Sequence, residues 1–256
     1  MPSERERRAQ VTHLAGKIAL VTGGSRGIGA AIAARLAQDG ADVALTYLSA
    51  GEKAKAVVAA IGEDGRRALA VQADSGDGAA VVAAVERVVA EFGRLDILVN
   101  NAGVFPYASI EEVSTEEVDR TLAVHVRGVY LATRAAVRHM GDGGRVISIG
   151  SCFAERVPYA GVSLYAMSKS ALIGMTRGLA RDLGPRGITV NVVHPGSTDT
   201  DMNPASGEGA DHERSFIALG HYAEPADVAA TVSHLAGPGG RYITGTSIAV
   251  DGGFAA

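Results

Sequence analysis

Lys17-Ile18-Ala19-Leu20-Val21-Thr22-Gly23-Gly24-Ser25-Arg26-Gly27-Ile28-Gly29 is the stretch that decides the fold. Its first six residues are short, apolar and include β-branched side chains, the pattern of a buried strand. A glycine-rich turn follows, and residues 30–38 then read as a helix. A strand, a glycine turn and a helix N-terminus in that order make an anion site. The glycines let the backbone approach a pyrophosphate, and the free N–H groups and helix dipole favour its charge. Gly23, Ser25, Arg26, Gly27, Ile28 and Gly29 are therefore candidate contacts to a dinucleotide. The spacing Gly23-x-x-x-Gly27-x-Gly29 is one residue longer than the usual dinucleotide fingerprint. A structural tight turn is the competing reading of the loop taken alone.

Outward from this unit, strands and helices alternate without a linker long enough to divide the chain. Strands are expected at 43–47, 68–72, 95–99, 145–149, 188–193 and 247–250. Helices are expected at 52–61, 78–92, 115–140, 164–183 and 225–235, the third of them long and clearly amphipathic. Alternation of this kind implies an α/β fold with a doubly wound parallel sheet of about seven strands and helices on both faces. Ligands bind such sheets at the carboxyl ends of strands, beside the point where strand order reverses. The glycine loop, Asn100-Asn101-Ala102-Gly103 and Ser151 all fall at expected strand ends.

The second strand refines the cofactor. NAD-preferring sites place a carboxylate at its end to hold the ribose 2′-hydroxyl. Here the strand runs into Tyr47, Leu48 and Ser49, with no acid to repel a 2′-phosphate. Arg26 and the Ser49 hydroxyl are the groups that would bind that phosphate, so NADP(H) is expected over NAD(H).

Chemistry enters with Tyr165-Ala166-Met167-Ser168-Lys169 and with Ser151, fourteen residues earlier. A phenol is a poor acid at neutral pH, with a reference pKa of about 10. One helical turn puts the Lys169 ammonium on the phenol's face, where a cation favours the phenolate. The pair is then able to exchange a proton near neutrality, while Ser151 holds a carbonyl or alcohol oxygen. An ordinary surface pair on a helix is the bland alternative, and it loses ground only because the other signals accompany it.

Taken together, Thr22-Gly23, Gly27-Ile28-Gly29, Asp74, Asn100-Asn101-Ala102-Gly103, Ser151, Tyr165, Lys169, Pro195-Gly196 and Asp251-Gly252-Gly253 resemble the short-chain dehydrogenase/reductase family. The likeness runs from Gly16 to Phe254 and is nearest to 3-oxoacyl-carrier-protein reductases and related carbonyl reductases. It implies a single Rossmann-type domain over residues 16–256, with residues 1–15 a flexible lead-in. By resemblance, Asp74 touches the adenine, Asn101 the ribose region, and Ala102 and Gly103 allow close backbone approach. Tyr47 and Ser49 flank the adenosine, Pro195, Gly196, Thr198 and Thr200 fix the nicotinamide carboxamide, and Tyr165 and Lys169 hold its ribose. Hydride would pass between NADPH and a small-molecule carbonyl substrate, with Tyr165 as acid, Ser151 on the oxygen and Lys169 tuning the phenol. Residues 201–220 have the character of a substrate lid, with Gly207 and Gly209 as hinges. A homotetramer, or a homodimer, is expected by analogy.

Two departures from the family pattern stand out. His125 occupies the place of an asparagine that anchors a water leading protons to the lysine. A histidine there either relays protons itself, given a reference pKa of about 6.5, or is simply a packed helix residue. Arg186 matches a basic position used to dock an acidic carrier protein, but Asp142 stands where a second base is wanted. A free ketone, ketoester, quinone or cyclic alcohol is then at least as good a substrate.

Composition agrees. A chain of 256 residues, 47% hydrophobic with 33 glycines, suits one α/β domain with tight turns. A net charge of −4 argues against a nucleic-acid partner. No apolar run is long enough to span a membrane, and no signal-peptide core follows the charged start Met1-Pro2-Ser3-Glu4-Arg5. The single cysteine, Cys152, excludes an internal disulfide and fits a reducing cytoplasm, and no nucleophilic role is expected of it. No metal site is expected. The alternatives to a reductase are an NAD-dependent secondary-alcohol dehydrogenase and a non-catalytic dinucleotide sensor.

Overall fold

A computed structural model of the protein describes residues 12–256. Seven parallel strands form one sheet in the order β3-β2-β1-β4-β5-β6-β7. They are β1 (Ile18–Val21), β2 (Asp42–Tyr47), β3 (Ala68–Gln72), β4 (Ile97–Asn100), β5 (Arg145–Ile149), β6 (Thr189–Pro195) and β7 (Ser247–Val250). The order reverses between β1 and β4, which pair through Ala19↔Ile97 and Val21↔Val99. The crevice at the carboxyl ends of these two strands is where a ligand is expected in such sheets.

Strand periodicity divides the core into two layers. Successive side chains point to opposite faces, so Ala19 and Val21 join Val99, Ile147 and Ile149 on one side of the sheet. Helices α1 (Gly27–Gln38), α2 (Gly51–Glu63) and α8 (Pro225–Ala236) cover that side with Ile32, Leu36, Ile61, Val228 and Leu235. Ile18, Leu20, Leu98 and Val146 face the other way. There α3 (Gly78–Phe92), α5 (Val129–Ala136) and α6 (Ser163–Leu183) supply Val81, Val85, Val88, Ala132 and Leu183. α7 (Ala210–Arg214) is a short helix within the 201–220 segment. Among the described residues, no helix is long and apolar enough to cross a membrane.

The expected long helix over 115–140 is interrupted. α4 (Thr115–Leu122) begins with a capping box between Ser114 and Glu117, and residues Ala123–Gly128 then widen into a π-helical turn before α5. Two contacts account for the break. A Cβ on Gly128 would stand 2.2 Å from the Ser75 carbonyl oxygen, so the helix passes that loop at a glycine. His125, within the turn, is bonded on both ring nitrogens to other elements. Such π-bulges accommodate an extra residue and concentrate at functional sites.

The folded unit also begins earlier than expected. Leu14 is 1% exposed within the first core layer, and its N–H donates to the Asp39 carbonyl. Residues 12–15 therefore belong to the domain, while the rest of the expected lead-in, 1–11, lies outside the described residues.

Candidate active site

One cavity of about 530 Å³ runs from the glycine loop to Tyr165. Gly23 adopts φ +65° at the end of β1, where a Cβ would lie 2.9 Å from Cα of Ala102. Asn101 braces this approach: its side-chain N–H group donates to the carbonyls of Thr22 and Gly23, both at 3.0 Å. Thr22 Oγ1 in turn accepts from the backbone N–H groups of Asn101 and Ala102. Gly29 is required by the same brace, since a Cβ there would meet Asn101 Nδ2 at 2.4 Å. Asn101 thus shapes the loop as well as lining the cavity.

The loop fits a phosphate group. Arg26 caps α1 without a side-chain bond, and the first turn of the helix carries no acid. Its N-terminal N–H groups are left without side-chain acceptors, as an anion site needs. Tyr47, Ser49 and Arg26 line the neighbouring end of the cavity, and the carboxyl end of β2 carries no acid. Asp201, from the 201–220 segment, lies across this end, 3.9 Å from Arg26 and bonded to Lys53. Asp74 accepts from Arg120 at 2.8 Å and from the Gly76 N–H, and the Arg120 bond holds its carboxyl below the ordinary carboxylate range. Thr198, Thr200, Pro195 and Gly196 line the far wall. Every residue expected to hold the cofactor is brought to this one cavity.

At the other end, Ser151 follows β5 and Tyr165 and Lys169 lie on α6. Burial pushes the Tyr165 phenol up to about 12, opposed by a hydrogen bond with Ser151. The net direction is away from the phenolate, because desolvation disfavours the charged form. Lys169 is 5% exposed, donates to the Ile149 carbonyl at 3.0 Å, and is brought down to about 8 by burial. Its ammonium lies 5.7 Å from the Tyr165 ring centre. At neutral pH the arrangement is a protonated phenol beside a lysine that gives up its proton near pH 8. Cys152 is buried with its thiol pushed up to about 12 by desolvation, which leaves no thiolate for a nucleophilic role.

The structure packs His125 with both ring nitrogens bonded. It is 1% exposed; Nε2 accepts the Val104 backbone N–H at 3.0 Å, and Nδ1 lies 2.8 Å from Ser168 Oγ. A backbone N–H only donates, so Nε2 is the acceptor and the ring proton sits on Nδ1, directed at Ser168. Burial, then the Lys169 charge, push the ring down to about 2. With both nitrogens engaged and the ring neutral, its contribution is to hold the π turn against α6 and the loop at Gly103-Val104.

Sequence reasoning missed three groups. His194, at the end of β6, accepts the Ser151 N–H on Nδ1 at 3.0 Å and so fixes the serine backbone; its buried Nε2 has no hydrogen-bond partner among the described residues. Its place just before Pro195-Gly196 was the available signal, a polar side chain closing a buried strand. Arg120 orients Asp74, and Glu213 lines the cavity from the lid. Neither stands out from ordinary helix-surface charge in the sequence. Arg186, in contrast, is spent on the carbonyls of Val137 and Met140 and is not a free docking cation. Among the described residues no group of three His, Cys, Asp or Glu could hold a metal ion.

The sequence model of an enoyl-(acyl carrier protein) reductase family matches residues 23–255. A cyclic-di-GMP-binding biofilm dispersal mediator protein of Escherichia coli is 46% identical, covering 94% of this chain and 98% of its own. A versicolorin reductase of Emericella nidulans is 39% identical, covering 94% and 96%. Among solved structures, a short-chain dehydrogenase from Burkholderia cenocepacia in complex with NADP superposes with a TM-score of 0.94 at 62% identity, covering 95% of this chain and all of that one. The fold, the cavity and these likenesses agree that the chain belongs to the short-chain dehydrogenase/reductase family.

Proposed function

We propose that the protein is an NADPH-dependent reductase of a small carbonyl compound, with Tyr165 as the general acid. The observation that carries this reading is one cavity that joins a glycine loop without an acid to Ser151, Tyr165 and Lys169 at its inner end. A phenol that keeps its proton at neutral pH is suited to donate to a carbonyl oxygen. NADPH, when bound, supplies the hydride. Ser151 holds and polarises the substrate oxygen, Tyr165 protonates it, and Lys169, whose proton is released near pH 8, restores the phenol. His194 and the Phe153 N–H, which Ser151 Oγ accepts at 3.2 Å, keep the serine in place.

The solved NADP complex of the Burkholderia protein and the reductase among the relatives support the cofactor and the direction. Because Arg186 is occupied, a free ketone, ketoester or quinone is favoured over a carrier-bound thioester. We assign the subunit arrangement as a homotetramer or homodimer by family analogy, to be read by light scattering.

The test is oxidation of NADPH and of NADH against an acetoacetyl thioester, a ketoester, a cyclic ketone, a diketone and a quinone. Turnover with NADPH, lost in Tyr165→Phe by about 10²–10⁴-fold with NADPH binding retained, is the expected result. Retained turnover in that variant, or a preference for NADH, would refute the assignment.

A further inference from the structure

We infer that Glu213 determines substrate specificity: its carboxylate accepts a hydrogen bond from a hydroxyl or N–H remote from the reacting carbonyl, and it repels anionic ketones. The inference rests on the carbonyl-reductase reading above.

Glu213 projects from α7 into the cavity that holds Tyr165 and Ser151. Its Oε1 accepts the Tyr159 hydroxyl at 2.6 Å, and its Oε2 accepts the Ser197 hydroxyl. A carboxylate offers about four acceptor positions, so two are left after these bonds. Neither partner cancels its charge. Burial, then the hydrogen bond to Glu213 and its charge, push the Tyr159 phenol well above the ordinary range, so it stays a neutral donor. The neighbouring Arg214 is turned to Asp211 and to the Ala205 carbonyl. Among the described residues no lysine or arginine is paired with Glu213.

The surrounding wall is aromatic. Tyr165 and Tyr159 both stand edge-on to Phe153, at 6.0 and 5.5 Å between ring centres, and Phe105 packs against Tyr165 at 4.8 Å. The catalytic phenol and the Glu213-bonded phenol therefore flank the same ring. A flat cyclic ketone lying on these faces, its oxygen at Tyr165, carries its far edge toward Glu213. A hydroxyl or N–H there gains a charge-assisted bond, whereas a carboxylate meets an unpaired negative charge.

The experiment compares kcat/KM for a hydroxylated tetralone, the parent tetralone and a tetralone carboxylate, with NADPH, in wild type, Glu213→Gln and Glu213→Ala. Ratios are taken within each protein, so any general loss from the broken Tyr159 and Ser197 contacts cancels. Wild type is expected to favour the hydroxylated ketone over the parent by about tenfold or more. Glu213→Ala should bring that ratio near one, and Glu213→Gln should raise the carboxylate's rate relative to the parent by about tenfold. Equal rates for hydroxylated and parent ketones in wild type, or ratios unchanged in both variants, would overturn the inference while leaving the reductase reading intact. No turnover of any ketone by wild type, in this set or the broader panel, would instead overturn that reading and this inference with it.

Discussion

His125→Asn separates a proton relay from a packed histidine, because the two roles move different observables. The ring is buried, its pKa is pushed down to about 2 by desolvation and by Lys169, and the Tyr165 ring lies against it at 5.8 Å. In the unfolded chain the same ring titrates at about 6.5. A folded pKa below the unfolded one means that the unfolded state binds more protons between the two values. Stability from this residue is thus complete above pH 6.5 and is lost as pH falls toward 2. At pH 5 the linkage amounts to about 2 kcal/mol, against a few tenths at pH 7. That size holds for any folded pKa well below 5. Urea unfolding followed by far-ultraviolet circular dichroism, at fixed protomer concentration without cofactor, should show wild type losing about 2 kcal/mol more than His125→Asn between pH 7 and pH 5. His194, also pushed down by burial, adds its own slope to both proteins and cancels in the difference. The pH–rate profile for ketone reduction should keep its shape in the variant. A limb near pH 6.5 that disappears on substitution, with equal acid sensitivity of the two proteins, would refute the packed-histidine reasoning and restore the relay.

Asp201→Asn removes the carboxylate that lies across Arg26 and Lys53, so NADPH should bind about two- to fivefold more tightly while NADH affinity stays unchanged. Cofactor titration by fluorescence checks this, and equal gains for both cofactors would contradict it. His194→Ala leaves the buried Ser151 N–H without its acceptor; turnover should fall by about tenfold or more, with NADPH affinity within about twofold of wild type. Gly150→Ala should reproduce that loss, since its Cβ would lie 2.3 Å from His194 Nδ1. Unaltered kcat in both variants would show that the imidazole does not position the serine. Burial brings Lys169 from 10.5 to about 8, so the reductive rate should decline as pH rises through about 8, where the lysine no longer returns a proton to the phenol. A rate flat to pH 10 would remove Lys169 from the proton path.

What could be read from the sequence and what could not divides by the range of the interactions involved. The strands were legible because parallel strands covered on both faces are short, nearly continuous apolar runs, and β1, β4 and β5 fill both core layers in strict alternation. The glycine loop was legible because its constraints are local backbone constraints, as the positive φ at Gly23 and Gly27 shows. Lys169 was placed on the phenol's face by helical spacing, but spacing reports only proximity, whereas the net direction of the Tyr165 pKa depends also on how much water the fold removes. The role of His125 was out of reach for a similar reason. Its two partners, Val104 and Ser168, lie 21 and 43 residues away, and only their joint presence uses up both ring nitrogens. The interrupted helix has the same origin, since the amphipathic pattern carries through the π turn and Gly128 is explained only by the Ser75 carbonyl. Glu213 is the extreme case. In Asp211-His212-Glu213-Arg214 it looks like one more solvated charge, and it becomes a cavity group only when Tyr159, 54 residues earlier, and Ser197 converge on it. Backbone chemistry and strand pattern are written locally, while the protonation state of a site is fixed by which distant groups close over it.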